Sequence, residues 1–126
     1  MNVIHFSALI ALACLSLFHA ILAPVIFDEL APRVVWYLGV DFGVAGVLAV
    51  NIIVARLPLS GDGVPWRICH GLNVINLAYA LFYVAVVPDP GTTIAAIVDV
   101  AVLVGGVLTQ RRLTTAYKTT HYAAGN

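Results

Sequence analysis

Asp41, Asp99 and His19 stand inside long apolar runs of this chain, where charged side chains are rare. An ionisable group in hydrocarbon is costly unless it is paired or wetted, so such positions mark either chemistry or a specific buried bond. Two carboxylates beside an imidazole in a low dielectric are drawn toward neutral pH by burial and by one another. That is what a proton relay, a proton-coupled binding site or general acid–base catalysis needs. The same three side chains could ligate a divalent ion, and His5 with His70 could ligate haem, but no spacing motif supports either, and no metal or cofactor is expected. His5 reads as an interfacial residue and His70 as a hydrogen-bonder at a helix end. No nucleophile elbow, HExxH or P-loop pattern occurs, so no catalytic residue is assigned.

Whatever these residues do, lipid is the medium in which they do it. Of 126 residues, 62% are hydrophobic and 10% charged, against about half and a quarter in soluble domains. With a mean hydropathy of +1.02 there is too little polar surface to coat a water-soluble globule, which excludes a soluble enzyme or a disordered tail. The formal net charge is +0, leaving no cationic surface for a phosphate backbone, and no nucleic-acid partner is expected.

Four apolar stretches, at about 4–27, 34–56, 65–87 and 92–110, are each long enough to cross a hydrocarbon core of about 30 Å. Period-2 alternation is absent, so they read as helices. The connections 28–33, 57–64 and 88–91 are too short for consecutive helices to be anything but antiparallel neighbours. The expected fold is therefore all-α: an up-and-down antiparallel four-helix transmembrane bundle over 1–110, followed by a polar, loosely ordered cytoplasmic tail over 111–126. Pro32, Gly61-Asp62-Gly63 before Pro65, and Pro88-Asp89-Pro90-Gly91 punctuate the spans, with Thr92 as the N-cap of the last.

Arg56, Arg67, Arg111, Arg112 and Lys118 fall on one side of the spans and only Arg33 on the other, which puts both termini on the cytoplasmic side of an inner or plasma membrane. Asp28, Glu29 and Asp89 lie on the opposite face, and Trp36, Tyr37 and Trp66 lie where an aromatic belt would. The first span reads as a retained helix, because no Lys or Arg precedes it and the apolar run continues past Cys14. Cys14 and Cys69 fall inside spans and read as packed side chains.

Measured from the outer span ends at about 1.5 Å per residue, His19, Asp41 and Asp99 all lie roughly 10 to 12 Å deep, with Tyr79 at that depth and Tyr83 one turn nearer the surface. A buried polar cluster of His19, Asp41, Asp99, Tyr79 and Tyr83 follows if each side chain also faces inward. Cys69, Asn73, Asn76, Ala80 and Tyr83 share one stripe of the third helix, and His5, Leu12, Ser16 and His19 one face of the first. Asn51, Asn73 and Asn76 read as interhelical hydrogen bonds, worth about 0.6 kcal/mol each. On the second helix Gly39, Gly43 and Gly46 lie almost opposite Asp41 in a GxxxG-like spacing, which reads as a packing or partner interface.

Three functions follow as expectations. The leading one is a non-enzymatic accessory or scaffold subunit of a larger membrane complex, touching other membrane subunits or copies of itself and the lipid bilayer. The second is an oligomeric proton-coupled small-molecule transporter using the His/Asp cluster. The third is a membrane-embedded isomerase-type enzyme with His19 and an aspartate as its acid–base pair.

Overall fold

The computed structural model describes residues 1–26, 32–57 and 63–123, with side chains described for 1–23, 25, 39–57 and 63–120. It consists of four helices: α1 (Val3–Ile26), α2 (Pro32–Arg56), α3 (Val64–Val86) and α4 (Pro90–Ala123). All four are long and apolar enough to cross a membrane, so the chain is an integral membrane protein. The side chains of Arg33, Trp36 and Tyr37, and residues Asp28, Glu29, Gly61 and Asp62, on which parts of the orientation and turn readings rest, lie outside the described residues.

Local chemistry sets the helix starts. Gly63 adopts φ 60°, and with Pro65 in the first turn it launches α3, since only glycine enters the left-handed region without cost. At the next junction Thr92 is not the cap; α4 begins two residues earlier, at Pro90, and Asp89 takes that role. The Asp89 carboxylate accepts the N–H groups of Gly91 (2.6 Å) and Thr92 (3.1 Å). In return the Thr92 hydroxyl oxygen accepts the Asp89 N–H at 3.3 Å. Proline's fixed φ suits the first helical position, which moves the cap to the residue before it.

The last helix also runs further than the sequence suggests. Residues 111–123 continue α4 instead of forming a loose tail. Thr114, Thr115, Thr119 and Thr120 each donate their hydroxyl to the carbonyl one turn back, so the polar side chains are satisfied on the helix itself. Leu113 packs against Val54 and Trp66, which makes the first turn of the nominal tail part of the bundle.

The helices form a ring. α1 lies against α2 and α4, α3 lies against α2 and α4, and α2 and α4 sit diagonally with little direct contact; of the four seams, α2–α3 is the thinnest. Apolar side chains cover the outside, with Phe42 78% and Ile75 67% exposed, as expected where the solvent is hydrocarbon. The interior is built from small, apolar and polar residues. Ala8, Leu9, Leu12 and Val102 form one cluster, and Val54, Trp66 and Cys69 another.

Among the described glycines, Gly105 of α4 lies nearest to another helix. A Cβ there would stand 2.6 Å from the His5 Cα of α1, closer than real atoms come, whereas a Cβ at Gly39, Gly43 or Gly46 would meet nothing within 4 Å. Gly105 therefore carries the backbone-to-backbone packing that small residues provide in membranes. Gly105→Ala is expected to lower stability by about 1–3 kcal/mol through overpacking, while Gly46→Ala stays within about 0.5 kcal/mol of wild type. Thermal unfolding in mild detergent checks both; equal melting temperatures for the two variants would contradict the α1–α4 contact.

Candidate functional site: two levels of buried polar residues

Polar side chains from all four helices meet at the level of His5. This histidine is fully buried, at 0% exposure. Its Nε2 lies 2.9 Å from Asn51 Oδ1 on α2, and its Nδ1 lies 3.1 Å from Thr109 Oγ1 on α4. The Asn51 amide nitrogen donates to the Val47 carbonyl (2.8 Å) and to Asn73 Oδ1 on α3 (2.7 Å). Asn51 Oδ1 is therefore the acceptor end, and it also receives the Asn73 amide at 3.2 Å and the Cys69 thiol at 3.3 Å.

This pattern assigns the imidazole. An amide oxygen only accepts, so His5 Nε2 carries the proton, and a neutral ring then accepts at Nδ1. The Thr109 hydroxyl donates that hydrogen bond while its oxygen accepts the Asn2 backbone N–H at 3.0 Å. Every polar atom of the Thr109–His5–Asn51–Asn73 chain is engaged, and the line crosses α4, α1, α2 and α3 in turn. His5 is thus enclosed by all four helices near the start of α1.

Beside this layer His70 Nε2 lies 2.8 Å from Gln110 Oε1, and the His70 ring leans on Trp66 at 5.6 Å between centroids. His70 Nδ1 is buried without a hydrogen-bond partner. Both His5 nitrogens lie within hydrogen-bond distance of protein oxygens.

Toward the other end of α1 and α2, a second polar level divides in two. His19 Nδ1 lies 3.2 Å from both Asp41 oxygens, and the Ser16 hydroxyl donates to Asp41 Oδ1 at 3.1 Å. This pair sits in the α1–α2 seam, with side-chain exposures of 42% for His19 and 12% for Asp41. Asp99 of α4 is buried and accepts the Asn76 amide of α3 at 2.8 Å. Tyr79 and Tyr83 stack on each other with centroids 6.1 Å apart. Among the described residues no three His, Cys, Asp or Glu side chains come together as a metal site. Asn51 and Asn73 bond to each other, Asn76 bonds to Asp99, and Gly39, Gly43 and Gly46 lie on an outer face of α2.

Sequence reasoning missed His5, Cys69 and Thr109 as members of one layer. The Gly105-Gly106 pair was the available signal: Gly105 admits the α1 backbone, and a Cβ at Gly106 would stand 3.5 Å from His70 and 3.7 Å from Asn73. Comparison with family models, characterised proteins and solved structures finds no match for this chain.

The His5 arrangement makes a direct prediction. In ¹⁵N NMR of the purified protein, His5 should appear as the neutral Nε2-protonated tautomer. Thr109→Val should disturb that signal and cost on the order of 1–3 kcal/mol, because Nδ1 and the Asn2 N–H both lose their partner, whereas Thr109→Ser retains both bonds. An Nδ1-protonated ring in the wild type would contradict the assignment.

Proposed function

We propose that this protein is a non-enzymatic accessory or scaffold subunit of a larger complex in an inner or plasma membrane, with alternating helix direction and both termini on the cytoplasmic side. The observation that carries this reading is the bare glycine face of α2. Gly39, Gly43 and Gly46 recur along one side of the helix, and no atom lies within 4 Å of where their Cβ atoms would be. Within a bilayer, small residues at such spacing let another helix come close enough for van der Waals packing, the main force joining helices in lipid. Among the described residues no helix uses that face, whereas the interior polar groups are bound to one another in the Thr109–His5–Asn51–Asn73 line. A rigid interior with an unfilled close-packing surface suits a part that holds something else in place.

The test is the mass and composition of the particle extracted in mild detergent from the native membrane. Wild type should emerge with unlike subunits in fixed ratio, and Gly43→Leu or Gly46→Leu should release a lighter, folded bundle. A complex of normal mass in both variants would defeat the subunit reading.

The His19–Asp41 pair favours a second reading, an oligomeric proton-coupled transporter. It is an ionisable pair inside membrane-spanning helices and is not sealed in the interior, the circumstance in which intramembrane charges mark ion and substrate paths. Under this reading Asp41→Asn abolishes proton-driven uptake into proteoliposomes while the bundle stays folded. An unchanged pH profile in that variant would remove it.

A further inference from the structure

The inner faces of the four helices are used up by the two polar levels and the apolar clusters, but the α2–α3 seam is the thinnest. Near the α2–α3 connection it opens into a crevice of about 280 Å³ lined by Val50, Ile53, Val54, Val64, Pro65 and Ile68. The lining is wholly apolar, and Ile53 and Ile68 on its lips are 56% and 57% exposed. Arg56 in the last turn of α2 and Arg67 in the first turn of α3 stand close along their helices to the lining residues Ile53 and Ile68, and both are exposed. Along α2, Arg56 stands about 4.5 Å beyond Ile53, and along α3, Arg67 precedes Ile68, with a stem long enough to carry its guanidinium to the membrane surface.

We propose that the α2–α3 trough is a binding site for one anionic phospholipid, with an acyl chain lying against Val50, Ile53, Val54 and Ile68 and the phosphate-bearing headgroup held by Arg56 and Arg67. The occupant is set by the two ends of the site together. An apolar channel alone accepts any hydrocarbon, and two guanidinium groups alone accept any phosphate. Only a molecule that carries an anionic head on a hydrocarbon tail satisfies both, and the bilayer presents such molecules at the helix ends. Guanidinium groups bind phosphate oxygens bidentately, and basic pockets between membrane helices favour anionic headgroups over neutral ones. The trough lies on the outer side of the α2–α3 seam, beyond the Val54, Trp66 and Cys69 cluster. Short β-branched side chains line α2, and the Pro65 ring occupies the first turn of α3. Gly39, Gly43 and Gly46 precede Val50 and Ile53 along α2 at helical spacing, so the proposed partner face runs on toward the trough.

The full chain, reconstituted into nanodiscs of equal phosphatidylcholine and phosphatidylglycerol and re-extracted in mild detergent, tests the site by native mass spectrometry of the lipid it retains. Wild type should keep phosphatidylglycerol in preference, and the preference should fall about fivefold for each of Arg56→Gln and Arg67→Gln. R111Q/R112Q should leave it unchanged. Ile53→Trp, which fills the trough from an exposed position, should reduce retained lipid without lowering the melting temperature. Equal retention of the two lipids by wild type overturns the proposal. So does a loss in R111Q/R112Q as large as in R56Q/R67Q, which would mean a general basic surface. Lipid retention untouched by Ile53→Trp also overturns it, because the headgroup would then be bound without the trough.

Discussion

The side-chain amide of Asn51 is where the four helices are tied. Its oxygen receives His5 from α1 and both Cys69 and Asn73 from α3, and its nitrogen donates back to Asn73 and to its own helix at Val47. His5 passes the connection on to Thr109 of α4. In water such a network would compete with solvent at every bond. In hydrocarbon the alternative is an unsatisfied polar group, so the partners can be exchanged only for one another. Apolar contacts cannot supply this directionality, because lipid tails are as apolar as the residues they meet. The register of each helix follows from the requirement that a single amide find all of these partners at once.

Close packing at Gly105 is the second half of the same device. His5 reaches both Asn51 and Thr109 only because the α1 backbone lies directly on α4, where any Cβ would intrude. From this tight α1–α4 seam the bundle loosens across to α2–α3, the thinnest seam of the ring. The bare glycines of α2 and the apolar trough between α2 and α3 both lie on a helix of this thinner seam.

The polar residues of the second level are arranged differently from those around Asn51. His19 and Asp41 join α1 to α2, and Asn76 and Asp99 join α3 to α4, so each bond fastens one pair of helices. Depth along the helices, which sequence supplies, put these residues at a common height. Azimuth decides which of them touch, and azimuth depends on how each helix is rotated by its neighbours. His19 turns toward the α1–α2 seam and stays 42% exposed, whereas Asp99 turns inward beside Asn76.

Composition and the lengths of the apolar runs, by themselves, determined that this is an integral membrane protein of four helices, because only continuous helices of that length satisfy their backbone in lipid. The starts of α2 and α3 near Pro32 and Pro65 were legible for a local reason: proline and glycine act through their own φ angles. The start of α4 was legible only approximately, since Asp89 and Thr92 both have cap chemistry and the choice between them follows from Pro90. The helical state of 111–123 was hidden because polar threonines resemble a tail until each hydroxyl is seen to bond one turn back. Tertiary structure alone decided that His5 is enclosed among the four helices, that Gly105 rather than Gly43 meets a neighbouring helix backbone, and that His19 and Asp41 pair with each other while Asp99 pairs with Asn76. Each of those outcomes depends on the relative rotation of the helices: the stripes on α1 and α3 mark a face that turns inward, but not which residue of a neighbouring helix each member meets.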